Sequence, residues 1–266
     1  MNCELIVADA STGKTKFNRK TPELKAVQIK GDDKTKVVKN WSNILGDCLF
    51  FCDLRGKGRP SDIVIKDRYT TFWVLDEKLN TQWSGTCRTG HYPFSKDTDG
   101  DGKEELFIGY SAYNWKGVQL WSLDKKLQDH CDGIAAVNFR EKEGSVPRIF
   151  IAGSDQGAII TDTSGTILKN YFIGHVQNPA IANFRSDLPG LETVTINFWG
   201  NQGIIHFFDS SHTIYHDFEP TQYGSMCLPI NWNGSEEEFF VLNANILEGG
   251  MYDGWGRKAV QFPNDG

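Results

Sequence analysis

Nine consecutive residues, Asp97-Thr98-Asp99-Gly100-Asp101-Gly102-Lys103-Glu104-Glu105, concentrate acidic chemistry: carboxylates stand at positions 1, 3, 5 and 9, with glycine at 4 and 6. Alternate residues of a tight turn direct their oxygens to one point, and calcium takes roughly six to eight hard oxygen ligands. The run therefore predicts a Ca2+ site made by Asp97, Asp99, Asp101 and Glu105, with the carbonyl of Lys103 added. An EF-hand is excluded, because position 12 is Ile108 and both flanks read as strands. The equivalent turn after Asp53 reads Leu54-Arg55-Gly56-Lys57-Gly58-Arg59. Basic side chains occupy two of its carboxylate positions, so no cation is expected there. Arg55 or Lys57 should instead turn back to Asp53 or Asp62 as an internal ion pair.

A second set of residues could move protons. Six positions before five recurring marker residues stand Asp47, His91, Asp132, Gln177 and Ser225; eight before stand Leu45, Thr89, His130, His175 and Tyr223. Further polar and aromatic groups belong to the same face: Asp67-Arg68-Tyr69, Tyr110 to Asn114, Ser154-Asp155-Gln156 and Phe198-Trp199-Gly200-Asn201-Gln202. Such a rim suits an acidic sugar. Trp stacks on the ring, Arg pairs its carboxylate, and His or Tyr moves protons near neutral pH. By the same alignment His206, His212 and His216 fall on outer strands or turns and should be surface residues.

The elements that position these groups follow from a repeat. Five segments share an apolar strand ending in Asp or Asn, a polar turn and a second apolar strand, with markers Asp53, Asp97, Asn138, Asn183 and Asn231. The intervals of 44, 41, 45 and 48 residues each hold about four short strands, the content of a propeller blade. Thr71-Phe72-Trp73-Val74-Leu75 is apolar on both faces, so neighbouring blades should cover both. The expected fold is all-β, a β-propeller of four-stranded antiparallel blades in a single domain over 1–266. A partial blade over 1–45 precedes repeats starting near 46, 90, 131, 175 and 223. Five to six repeats are visible, and the ring is expected to be incomplete or shortened. Glu4 to Lys16 reads as the second and third strands of a blade without its first.

Charge and composition exclude other classes. A net charge of −6 with one short basic stretch at Lys34, Lys36 and Lys39 argues against nucleic acid. No apolar run is long enough for a membrane helix, and no secretion signal is present, which places the chain in the cytoplasm unless it is a piece of a secreted protein. A monomer is expected. The six cysteines form no CxxC pair and read as buried free thiols.

Several motifs are familiar together: Gly90-His91-Tyr92-Pro93-Phe94, Asp129-His130-Cys131-Asp132-Gly133, Gly174-His175-Val176-Gln177-Asn178, Asn197-Phe198-Trp199-Gly200-Asn201-Gln202-Gly203 and Tyr252-Asp253-Gly254-Trp255-Gly256-Arg257. From Gly46 onward the chain resembles a rhamnogalacturonan-lyase-like group of propellers, related in architecture to ulvan lyases. The resemblance implies action on a rhamnose- or uronate-containing acidic polysaccharide by β-elimination. On that reading His91 and His130 or His175 are base and acid, Tyr69 or Tyr223 the alternative proton donor, and Arg68 the neutraliser of the uronate. Asp132, Gln177, Asn178, Trp199 and Asn201 would bind substrate. Two other readings stand beside it: a rhamnosidase-type hydrolase using Asp47, Asp132 or Asp155, and a non-catalytic propeller that binds glycans or proteins.

Overall fold

The computed structural model describes residues 4–20, 48–67, 69–140, 145–219, 224–244 and 249–263. The chain divides into two compact units, 1–126 and 127–266.

The first unit holds a hairpin, β1 (Glu4–Ala8) with β2 (Thr15–Lys20), and two four-stranded sheets. One comprises β3 (Cys48–Cys52), β4 (Asp62–Lys66), β5 (Thr71–Leu75) and β6 (Thr81–Thr86); the other comprises β7 (Phe94–Lys96), β8 (Glu105–Ile108), β9 (Ser111–Tyr113) and β10 (Gln119–Ser122). The second unit holds three more: β11 (Gly133–Val137) to β14 (Ile167–Tyr171) with β12 (Arg148–Ala152) and β13 (Ala158–Thr161); β15 (Ala180–Ala182) to β18 (Ile214–Phe218) with β16 (Glu192–Ile196) and β17 (Ile205–Phe208); and β19 (Gly224–Ile230) to β22 (Lys258–Gln261) with β20 (Phe239–Ala244) and β21 (Gly250–Tyr252). In every sheet sequential strands pair antiparallel, so each is a propeller blade of the expected kind. Each predicted marker follows the last residue of its blade's first strand. Among the described residues no helix is long and apolar enough to cross a membrane.

Within each unit the middle strands are buried where neighbouring sheets pack face to face. Phe72 and Val74 of β5 pack with Leu106, Ile108 and Tyr113 of the following blade. Trp73 and Leu75 on its opposite face pack with Leu5 and Val7 of β1. In the second unit Phe150 and Ile160 meet Phe208, while Val194 and Phe207 meet Phe240 and Tyr252.

One turn recurs between the third and fourth strand of every blade. Asp76, Asn114, Asp162, Asp209 and Asp253 each accept the backbone N–H groups two and four residues on through Oδ1. Each also donates its own N–H to the carbonyl four residues on. This is an Asx turn closing a hairpin. Asp9 closes the β1–β2 hairpin differently, accepting the N–H groups of Ser11 and Thr12, two and three residues on, and donating its own N–H to Lys14 O, five on.

The fourth residue of this turn is left-handed, and Gly117, Gly165 and Gly256 serve in three blades. Leu79 and His212 take it in the others, at φ +62 and +60. Both are buried, so packing offsets the backbone strain. The His212 ring stands edge-on to Phe139 with centroids 4.5 Å apart. Burial, helped by the charge of Lys169, pushes its pKa down to about 4. His206 is equally buried on β17, and His216 is half-buried against Phe207 and Phe218. The expectation that these three histidines are surface residues fails, because the fourth strand and its turn are covered by aromatic neighbours. Cys52, Cys87, Cys131 and Cys227 are buried free thiols; Cys48 is half-buried.

Candidate functional site

The two first-to-second-strand turns of the first unit are each held by the carboxylate of their marker residue. Asp53 accepts Lys57 N at 2.7 Å and Arg59 N at 3.0 Å; Asp97 accepts Gly100 N at 2.7 Å and Gly102 N at 2.9 Å. Gly56, Gly58, Gly100 and Gly102 supply the left-handed corners. In the first turn Arg55 Nε lies 2.6 Å from Asp62, and its Nη2 lies 2.6 Å from Glu77, which also pairs with Lys57 Nζ at 3.0 Å. This is the internal ion pair expected in place of a cation. In the second turn carboxylate oxygens of Asp97, Asp99 and Asp101 lie within 4.8 Å of one another. Lys103 Nζ is 3.6 Å from Asp101 and stands over the Trp115 ring. Three hard oxygens converging on one point are the donor chemistry calcium takes.

Glu105 is placed differently from the other expected ligands. Its Oε2 accepts Thr98 N at 2.8 Å and Thr98 Oγ1 at 2.6 Å. Asp62 holds Arg55 N, and Glu192 holds Phe184 N and Arg185 N, from the corresponding first residue of the second strand. That carboxylate is a clasp for the turn whether or not the turn is acidic. Glu104 ties the two turns together, accepting Asp53 N at 2.8 Å and Ser95 Oγ at 2.7 Å.

The second unit carries a chain of alternating carboxylates and imidazoles. Asp132, one residue before β11, is anchored by its N–H to Ala152 O. His130 lies between two carboxylates, with Nδ1 2.8 Å from Asp129 and Nε2 3.4 Å from Asp132. His175 lies between two more, with Nε2 3.1 Å from Asp132 and Nδ1 2.5 Å from Asp155. Ser154, in the β12–β13 turn, donates its hydroxyl to Asp132, and Asp155 N donates to Asp129 at 3.2 Å. The imidazole centroids are 5.9 Å apart. Backbone bonds fix the His175 segment on both sides: Val176 N to Ser154 O, His175 N to Trp199 O and Gln177 N to Ile196 O. Gly174, at φ +114, permits this passage, since a Cβ there would strike Gly200 O.

Electrostatics in this chain favour ion pairs. Burial opposes charge on His130, but the bonds and charges of Asp129 and Asp132 outweigh it and push the pKa up to about 9. For His175 burial is likewise overcome by Asp132 and Asp155, so its pKa is raised. Burial resists ionisation of Asp132, yet His130, His175 and Ser154 hold it well below the usual carboxylate range. An ionised Asp132 cannot serve as the acid of a hydrolase. Ligand atoms of Asp129, Asp155 and His175 lie within 4.8 Å of one another, a grouping with room for a divalent ion in place of the shared protons.

The other predicted residues divide between the units. In the first, His91 and Tyr69 meet edge-on with centroids 6.3 Å apart. The buried Lys66 donates to Gly90 O at 2.6 Å, just before His91. In the second, Gln177 is half-buried and Trp199 is exposed. Asn178 gives its amide to Cys227 O, and Asn201 gives its amide to Ile173 O. Asp132 is buried between the histidines. Asn178 and Asn201 thus fix connections that the bare backbone would leave unsatisfied. Arg68, Tyr223 and Asp47 lie outside the described residues. Asp129 was named only within the motif around His130, and Ser154 only within the polar turn Ser154-Asp155-Gln156; neither was given a role. A cavity of about 580 Å3 lined by Arg140, Asn183, Ser186 and Leu191 belongs to the first-to-second-strand turns, and none of the histidine-chain residues lines it.

No family model and no curated sequence matches this chain. Solved structures do. The rhamnogalacturonan lyase YesW matches with a TM-score of 0.64 at 18% identity, over 89% of this chain and 40% of its own. The Bacillus licheniformis rhamnogalacturonan lyase PL11 matches with a TM-score of 0.65 at 16% identity, over 98% and 44%. The V. cholerae biofilm matrix protein Bap1 matches with a TM-score of 0.61 at 10% identity, over 92% and 63%. The chain thus has the fold of these propellers and spans less than half the length of the two lyases.

Proposed function

We propose that this chain is a carbohydrate-active propeller that cleaves an acidic, uronate-containing polysaccharide by β-elimination. The observation carrying this reading is the chain Asp129–His130–Asp132–His175–Asp155, two imidazoles joined through one buried carboxylate. The fold shared with rhamnogalacturonan lyases supports it.

Elimination needs one group to take the C5 proton and another to give a proton to the oxygen leaving C4; the C5–H electrons become the C4–C5 double bond as the C4–O bond breaks. His175, once neutral, accepts the C5 proton, while His130, still an imidazolium, pairs with the uronate carboxylate and protonates the leaving oxygen. One proton enters the pair and one leaves, so its charge is unchanged by turnover. Because the histidines share Asp132, their pKa values belong to the pair. Activity should rise as the first proton leaves and fall as pH passes about 9, where His130 loses its own. Calcium bound by Asp97, Asp99 and Asp101 would supply a structural charge clamp for the first-to-second-strand turn.

The test is ultraviolet absorbance of unsaturated uronate during incubation with rhamnogalacturonan, ulvan or gum arabic. Absorbance should rise for the wild type and stay flat for His130→Ala and His175→Ala. A wild-type trace that never rises on any of these polymers, or equal rates in all three proteins, would sink the proposal.

A further inference from the structure

Two aromatic side chains project into solvent beside the histidine chain. Phe172 is 76% exposed and Trp199 is 56% exposed. Rings of this size are normally covered, and exposed aromatics held in fixed positions mark contact surfaces. Their backbones are tightly fixed. Ile173 O, next to Phe172, accepts Asn197 Nδ2 at 2.6 Å and Asn201 Nδ2 at 3.2 Å. Trp199 O accepts His175 N, and His175 O accepts Phe198 N, both at 2.9 Å. On the other side Gly157, at φ +81 in the turn that bears Ser154 and Asp155, lets Phe172 pass so closely that a Cβ on Gly157 would stand 3.2 Å from its Cα. The Phe198 ring meets the Trp199 ring edge-on at 4.4 Å and supports it from one side. The backbones that carry the two exposed rings are thus held by a hydrogen-bonded frame shared with His175.

Such a frame suits a ligand with a flat apolar face and hydroxyls around its edge. A pyranose ring has both, and stacking on an aromatic that is already immobilised loses little conformational entropy. The charge nearby selects among pyranoses. Asp155, in the turn against Phe172, has a side chain 66% exposed, and its carboxylate repels a second anion. We propose that Phe172 and Trp199 form a stacking platform for a neutral pyranose flanking the uronate on which the histidine chain acts. This rests on the reading of that chain as the uronate site. It makes the ligand an oligosaccharide that alternates acidic and neutral residues, longer than a single uronate.

Calorimetry decides it, using the full chain with free galacturonic acid, a rhamnogalacturonan tetrasaccharide and a homogalacturonan tetrasaccharide. The wild type should bind the alternating tetrasaccharide more tightly than the all-acidic one. Phe172→Ala and Trp199→Ala should each weaken the former about tenfold and leave the free acid unchanged. Both rings are largely exposed, so melting temperatures should match the wild type and exclude misfolding as the cause. Trp199→Phe, which keeps a ring, should recover most of the affinity. A wild type that binds the alternating tetrasaccharide while both alanine variants bind it equally well would overturn the platform and leave the uronate reading intact. Absence of binding to all three sugars by the wild type would overturn both.

Discussion

Clustered carboxylates are neutralised in opposite ways at the Asp53 turn of the first unit and at the Asp132 centre of the second. Around Asp62 the partner is Arg55, whose guanidinium keeps its proton at every accessible pH. Around Asp132 the partners are His130 and His175, which release theirs within the working range. Both centres bury an acid against a cation. The first is a permanent clamp between two strands; the second is a store of protons that substrate can draw on. A buried ion pair becomes chemically useful when its cation can let go.

The largest effect should come from removing the shared carboxylate. Asp132→Ala leaves two largely buried imidazoles without their common partner, at an expected cost of about 4 kcal/mol in urea unfolding at neutral pH. The pH dependence identifies the cause. His130 has a folded pKa of about 9 against 6.5 for the free side chain, so its pairing contributes fully below 6.5 and is lost as pH rises through about 9. Wild-type stability should therefore fall over that window, and the Asp132→Ala curve should fall less steeply through it, because Asp129 still pairs with His130. Parallel curves would show that Asp132 is not what holds these protons. Asp62→Ala should cost slightly less, about 3 kcal/mol, since Arg55 keeps Glu77 as a second partner. That penalty should not change across the same pH window, because the guanidinium does not titrate; a penalty that did change would erase the distinction between the centres.

The blades were legible because a strand–turn–strand unit must place its turn polar residue at a fixed register, and Asp53, Asp97, Asn138, Asn183 and Asn231 all end first strands. The ion pair at Arg55 was legible for the same reason. The clasp of Thr98 by Glu105 was not, since a carboxylate that holds its own turn has the same spacing as one that faces a cation. The histidine chain was half visible. His130 and His175 announced themselves by register, whereas Asp129 and Ser154 act only through the fold, which brings the β12–β13 turn under Asp132. His212 misled because its turn position suggests exposure, and only the left-handed backbone aims the ring inward.

The smallest effect tests the third way of neutralising carboxylates, an exchangeable ion. The turn at Asp97 has its left-handed glycines at the same offsets as the turn at Asp53, but Asp99 and Asp101 stand two and four residues after the marker, where the first turn has Arg55 and Lys57. Calcium at ten times its dissociation constant should stabilise the wild type by about 1.4 kcal/mol, seen as a melting temperature that rises with calcium and falls back with chelator. Asp99→Asn with Asp101→Asn should abolish the rise, because two of three converging charges are gone. The converse exchange carries more information. Asp99→Arg with Asp101→Lys imports the charges of the first turn onto the second, where Trp115, directly after Asn114, stands at the hairpin place that Glu77 holds directly after Asp76. It should lose the calcium response without regaining the stability of the Asp53 turn. Full recovery would mean that two cations suffice by themselves, and that Glu77 adds nothing to the clamp.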